Sequence, residues 1–252
     1  IFRLERDQAL INRLGFNNDG LEKISKRISK NKPSKILGVN IGPNKDTRNK
    51  IDDFIICLSE LHSQADYITI NISSPNTEGL RDFHNKEHLQ KLLSNINLVR
   101  ETSNFNKSFL LKVSPDLDDQ SIDNIVQLSL ENNIDGLILT NTTDRNRENL
   151  LDEKKNEKGG LSGKPIQALS TSYIKKFYKK LNGKIPIIGV GGIDSGKSAF
   201  EKISAGASAL QLYTAMIYKG PIVVKKIKEE LITLLKKEGF KNVEECVGSN
   251  LN

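Results

Sequence analysis

Six short β-rich runs alternate with helical patterns from residue 36 onward, and this alternation constrains the fold more than any other feature of the sequence. The runs are ILGVNI (36–41), YITINI (67–72), FLLKV (109–113), GLILTN (136–141), IPIIGV (185–190) and ALQLYT (209–214). Each is too short for a helix. Several are apolar on both faces, as strands covered on both sides must be. Between them, Ile51, Phe54, Ile55, Leu58 and Leu61 form one stripe at helical spacing, and Val224, Ile227, Leu231 and Leu234 form another. Gly183, Pro186 and the Gly220-Pro221 pair punctuate the joins. Repeated β-α steps with right-handed crossovers make a parallel sheet or barrel. The expected class is therefore α/β, a (β/α)8 TIM barrel of which six of the eight β/α units are visible. At 252 residues the chain reads as one barrel domain, 1–252.

The polar residues of these runs gather at one end. Asn40, the Asn71 to Ser74 segment, Lys112, the Thr140, Asn141 and Thr142 group, Gly191 with Gly192, and Tyr213 with Thr214 all fall where the strands finish. A parallel barrel builds its active site at that end. One polar cluster is chance; six at the same end argue for a ligand site.

Composition removes other classes. Hydrophobic residues are 37% and charged residues 27%, with a mean hydropathy of −0.43, enough apolar content for a core in a chain of soluble character. No apolar run approaches the ~20 residues of a membrane helix. The opening IFRLERDQAL is too charged for a signal peptide, and with Met216 as the one methionine it suggests that something upstream has been removed. The net charge of +7 is spread over scattered lysines, and aromatics are 6% with no Trp, so neither a nucleic-acid stripe nor a base-stacking platform is expected. Cys57 and Cys246 are too few for a disulfide framework or a four-ligand zinc site, and Cys57, on an apolar stripe, reads as a buried inert thiol. The charged segment 144–158 reads as a mobile lid.

Two short motifs invite other chemistry. Residues 191–198, GGIDSGKS, satisfy the P-loop pattern, but one strand run follows them and no later strand end carries a magnesium-holding Asp. A phosphate-binding inference survives; an NTPase is a distant alternative. HNKEH (84–88) fits a zinc-protease pattern, yet Asn85 reads as a helix N-cap that leaves His84 outside the helix, so no metal site is expected.

A more specific constellation remains. Lys112 interrupts an apolar strand, where an inward lysine is costly unless it meets an anion. Its neighbours in the layer would be Asn40, Asn71 and Thr140, amides and a hydroxyl suited to a planar heterocycle rich in N–H and C=O groups. GGLSGKP (159–165) and the Gly191-Gly192 pair each precede a helix and offer backbone N–H cradles for a phosphate. A flavin mononucleotide, FMN, is the natural size.

These residues resemble the class 2, quinone-dependent dihydroorotate dehydrogenases. The resemblance runs along the whole chain: INRLGFNNDGL (11–21), LGVNIGPNK (37–45), NISSPNTEGLR (71–81), LLKVSPDL (110–117), DGLILTNTT (135–143), GGLSGKP (159–165), IPIIGVGGI (185–193) and QLYTA (211–215). It implies that Asn40, Asn71, Lys112, Thr140, Gly163, Gly192, Tyr213 and Thr214 contact FMN, with Ser162 and Gly191 adjoining. Asn12, Arg13, Leu14, Gly15 and Phe16, with Asn71, Asn76, Asn141 and Thr142, would hold dihydroorotate. Ser74 would be the catalytic base; class 1 enzymes normally carry Cys there, so this residue supports class 2. Lys112 would act in catalysis by stabilising the reduced ring electrostatically, and the segment following Ser74 would close over the substrate.

The implied reaction is oxidation of dihydroorotate to orotate in de novo pyrimidine (UMP) biosynthesis, with electrons passed to a quinone. Family members are tied to the cytoplasmic side of a bacterial inner membrane, or to the mitochondrial inner membrane, through N-terminal helices. They also carry, ahead of the INRLGF motif, two barrel strands, part of the FMN site and a lysine for the orotate carboxylate. Those parts are expected to be missing from this chain. The alternative function is accordingly a non-catalytic, truncated or split remnant.

Overall fold

The structure is a computed structural model and describes residues 1–103 and 106–251. Along the chain come β1 (Phe2–Leu4), β2 (Ala9–Asn12), α1 (Leu21–Lys30), β3 (Gly38–Ile41), α2 (Lys50–Leu61), β4 (Tyr67–Asn71), α3 (Lys86–Thr102), β5 (Ser108–Val113) and α4 (Asp119–Glu131). Then follow β6 (Gly136–Leu139), β7 (Gly160–Gly163), α5 (Gln167–Leu181), β8 (Ile187–Val190), α6 (Gly196–Ser204), β9 (Ala209–Gln211), α7 (Thr214–Lys219), α8 (Ile222–Lys237) and α9 (Val243–Cys246). The six expected strand runs all appear, five of them shortened at one end by one to three residues and β5 begun one residue earlier. The residues gather into two compact units.

One unit comprises Leu14–Lys112 and Leu117–Gly136. Its strands β3, β4 and β5 pair in parallel, with Asn40 opposite Thr69 and Asn71 opposite Lys112. Side chains alternate across a strand, and paired residues of parallel strands share a face. Ile68 and Ile70 are fully buried on the opposite face from Thr69 and Asn71. Around the strands, α2 buries Ile51, Phe54, Leu58 and Leu61, four of the five residues of the expected stripe, with Ile55 half-buried. Phe54 meets Phe83 edge-on at 5.8 Å, and truncating so enclosed a phenylalanine to alanine costs about 3–5 kcal/mol. The helices start where the sequence offers caps: Asn85 accepts the Glu87 N–H on α3, and Asp118 accepts the Ser121 N–H on α4.

The other unit comprises Ile1–Arg13, Val113–Asp116 and Leu137–Asn252. Here β6, β8 and β9 pair in parallel, Leu139 opposite Gly189 and Gly189 opposite Leu210. A second, antiparallel sheet has the order β1-β2-β7, with Leu10 opposite Ser162 and Ala9 opposite Gly163. Leu4, Ala9, Ile11, Leu150, Leu161 and Ile166 form its core.

Two details differ from the periodicity. On α8 the buried residues are Val223, Ile227 and Leu235, whereas Val224 is 40% exposed. Ile227 is buried as expected, and the stripe starts at Val223 because Val223 and Ile227 pack with Ile193, Ala199 and Ala215. The segment 144–158 is tied down rather than free. Asp7 accepts the N–H groups of Leu151 and Asp152, Leu150 is buried, and the Arg147 guanidinium donates to the carbonyls of Lys155, Glu157 and Gly159.

Candidate functional site

In the unit carrying β3, β4 and β5, the polar strand ends form one hydrogen-bonded group. The Asn71 side-chain Nδ2 donates to the Asn40 side-chain Oδ1 at 3.2 Å. The Asn71 side-chain Oδ1 accepts both the Ser73 N–H at 3.2 Å and the Ser73 hydroxyl at 2.9 Å. Asn71 and Ser73 are almost completely buried, so this pairing is what makes their polar atoms tolerable there. Ser74 follows, 7% exposed, and its oxygen accepts the Asn76 N–H at 3.2 Å. Lys112 lies beside Asn71 in the register. Burial pushes its ammonium pKa down. A lysine in that state favours a ligand that brings partial negative charge to it.

The same unit holds part of the 12–16 turn. Gly15 and Phe16 both take positive φ. Gly15 lies against the Asn76 carbonyl, and the Phe16 ring lies over Gly42, 3.2 Å from where a Cβ would be. Leu14 is 42% exposed.

In the other unit, Ser162 and Thr214 share a hydrogen bond at 2.8 Å between their hydroxyls. Gly163, at φ +97°, lies against Thr214 and the Gln8 carbonyl too tightly for any Cβ. Gly191 and Gly192, also at positive φ, abut the first turn of α5: a Cβ on Gly192 would fall 2.5 Å from Gln167 Cβ. Two glycine turns and a helix start thus leave bare backbone, the arrangement that accommodates a phosphate. The Thr140 N–H donates to the Val190 carbonyl at 3.1 Å, while its buried hydroxyl has no partner among the described residues. An orphaned buried hydroxyl beside such a cradle fits a ligand with acceptor atoms.

The remaining expected residues of this unit are placed as follows. Asn141 donates its N–H to the Val113 carbonyl at 2.9 Å and accepts the Thr142 N–H on its side chain at 2.8 Å. Asn12 ends β2, its amide 3.5 Å from the Gly160 carbonyl. Arg13 is turned to Glu157 at 2.9 Å and over the Phe2 ring. Tyr213 is 64% exposed.

The two competing motifs find other occupations. At the start of α6 the Gly196 N–H donates to Glu230 at 2.6 Å, so the anion position of the P-loop pattern is filled by the chain's own carboxylate. Lys197 points to solvent. His84 lies ahead of α3 and is partly buried against the Ile72 carbonyl, while His88 is exposed on the helix. Two residues not singled out by the sequence lie beside the two groups: Thr69, buried and opposite Asn40 in the register, and Ser170, which donates to the Val190 carbonyl. Isolated serines and threonines carry no sequence signal for such roles.

A protein-family model described as Dihydroorotate dehydrogenase matches residues 1–235. A Bartonella tribocorum protein named dihydroorotate dehydrogenase (quinone) is 41% identical over 256 residues, covering 100% of this chain and 71% of that protein. One of the same name from Idiomarina loihiensis is 45% identical over 238 residues, covering 92% of this chain and 71% of its own. Among solved structures, ligand-free dihydroorotate dehydrogenase from Eimeria tenella superposes with a TM-score of 0.93 at 39% identity, covering 100% of this chain and 76% of that one. The same enzyme in complex with ferulenol gives 0.90 at 40% identity, covering 100% and 74%. The fold is that of a partial (β/α)8 barrel. The chain belongs to the dihydroorotate dehydrogenase family.

Proposed function

We propose that this protein oxidises dihydroorotate to orotate with FMN and passes the electrons to a quinone, in pyrimidine biosynthesis. Family membership supports the reaction, and relatives named for the quinone support the acceptor. The observation that carries the assignment to residues is the hydrogen-bonded strand-end group running from Asn40 through Asn71 and Ser73, with Ser74 next in the chain.

In this reading Asn40, Asn71, Lys112, Thr140, Ser162, Gly163, Gly191, Gly192, Tyr213 and Thr214 hold FMN. The glycine turns and the Ser162–Thr214 pair suit its phosphate, and the amides, the lysine and the unpartnered Thr140 hydroxyl suit its ring. Bound FMN supplies the acceptor for the hydride that leaves C6 of dihydroorotate. Asn12, Arg13, Leu14, Gly15, Phe16, Asn71, Asn76, Asn141 and Thr142 hold the substrate.

Ser74 takes the proton from C5. A serine hydroxyl is a weak base, so it works only where its own proton can be passed on as the substrate proton arrives. The Asn76 N–H occupies one lone pair of the Ser74 oxygen and orients the hydroxyl. Burial of Ser74 keeps bulk water from competing for the substrate proton. Burial disfavours the Lys112 ammonium on its own, so negative charge developing on a ring held beside it would favour the protonated lysine, and that pairing counts for more there than in water.

Among the described residues no helix is long and apolar enough to cross a membrane. The reading places the reaction at a quinone-bearing membrane: the cytoplasmic face of a bacterial inner membrane, or a mitochondrial inner membrane. Anaerobic addition of dihydroorotate to the flavin-loaded protein tests it. Bleaching of the flavin absorbance with one orotate formed per flavin is expected; bound flavin that stays oxidised would refute it.

A further inference from the structure

Lys202, on α6, is wholly enclosed at 0% exposure. Its ammonium donates to three oxygens of the first turns of α5: the Gln167 carbonyl at 3.3 Å, Ser170 Oγ at 3.0 Å and Thr171 Oγ1 at 3.1 Å. All three acceptors are neutral. The carboxylate that acts on it, Glu201, is itself engaged by the Gln167 amide at 2.7 Å. A buried cation is expensive without an anion nearby. The first turn of a helix, with its free N–H groups and positive dipole end, is a poor neighbour for one.

That same turn of α5 backs the glycine cradle. A Cβ on Gly191 would lie 3.0 Å from Ser170 Cβ, and one on Gly192 2.8 Å from the Gln167 nitrogen. Ser170, which accepts from Lys202, donates in turn to the Val190 carbonyl, and the Thr140 N–H donates to that same carbonyl. Lys202 therefore stands one hydroxyl away from the residue that leads into Gly191.

We propose that Lys202 is a positioning residue for the FMN phosphate, its enclosed charge and its hold on Ser170 making the Gly191 and Gly192 turn selective for a dianion. The proposal rests on the FMN reading given above. It explains why a charge is kept where packing alone would favour an apolar side chain. Burial lowers the ammonium pKa to about 7, so an arriving phosphate draws a proton back onto Lys202.

The test compares FMN with riboflavin, which has the same ring and no phosphate, by flavin fluorescence titration of the full flavin-free chain. Lys202→Met should weaken FMN about tenfold or more and change riboflavin by less than about twofold. Equal losses for both ligands, or no loss for FMN, would reduce Lys202 to packing and overturn the proposal. A second measurement needs no variant. At about pH 8, where the phosphate is fully dianionic, calorimetry in buffers of different ionisation enthalpy should show proton uptake with FMN and none with riboflavin. Identical proton exchange for the two overturns the proposal while leaving the functional reading intact. A wild-type protein that binds neither flavin overturns both.

Discussion

The side-chain amide of Asn71 donates to the side-chain oxygen of Asn40 across the β3–β4 pair, at 3.2 Å, and with its other end holds the Ser73 N–H and hydroxyl. One buried amide thus sets both the strand end and the turn that presents Ser74. Asn71→Ala strips partners from two buried donors of Ser73, a loss of about 1–3 kcal/mol. Urea unfolding should show that loss, together with weaker FMN binding by fluorescence. Unchanged stability would mean that the Asn71 pairing does not hold the turn.

The glycine cradle makes a sterically sharp prediction. Gly192 and Gly183 share φ of +71°, but a Cβ at Gly192 meets Gln167 at 2.5 Å while one at Gly183 meets nothing within 4 Å. Gly183→Ala should cost only the backbone strain, about 1–2 kcal/mol. Gly192→Ala should cost about 1–3 kcal/mol more through overpacking and should weaken FMN by at least about tenfold as the first turn of α5 shifts. Equal behaviour of the two variants would contradict the cradle.

His84 supplies an acid-labile step. Burial first, and then the Arg81 charge, lower its pKa from 6.5 to about 4, against a hydrogen bond to the Ile72 carbonyl that works the other way. Between those values the unfolded chain binds a proton that the folded chain refuses. Stability is therefore fully present above pH 6.5 and falls as the pH drops toward about 4, by about 3 kcal/mol in all. Urea midpoints measured across this window should fall less steeply in His84→Gln, whose amide can keep the bond to Ile72 without titrating. Parallel slopes for the variant and the wild type would assign the acid lability elsewhere.

The parallel strands were legible because a covered strand must be apolar on both faces, and Phe109, Leu110 and Leu111, buried on alternating faces of β5, satisfy that locally. The polar strand ends were legible for the same reason: Asn71 and Lys112 break an apolar run. The antiparallel sheet β1-β2-β7 escaped notice. Its strands are three or four residues long, β7 (GLSG) has no strand signal, and the pairing of Leu10 with Ser162 spans most of the chain. On α8, Ile227 and Leu231 pack as their spacing implies, while the stripe ends on Val223 and Leu235 rather than Val224 and Leu234; Val223 and Val224 are equally apolar, and only packing with α6 and α7 selects Val223. The motif at 191–198 looked complete by residue type, yet Glu230, a distant carboxylate, occupies its helix start. Lys202 could not be told from any other amphipathic-helix lysine until α5 was seen to enclose it.

The central claim is that Ser74, held by the Asn76 N–H in a buried turn, takes the proton from dihydroorotate while the flavin takes the hydride. Anaerobic stopped-flow mixing of the flavin-loaded protein with dihydroorotate measures that half-reaction alone, independent of any quinone. Ser74→Ala should bind FMN as the wild type does and slow flavin bleaching by about a hundredfold or more, the range expected for loss of a general base. An undiminished bleaching rate in Ser74→Ala would contradict the account.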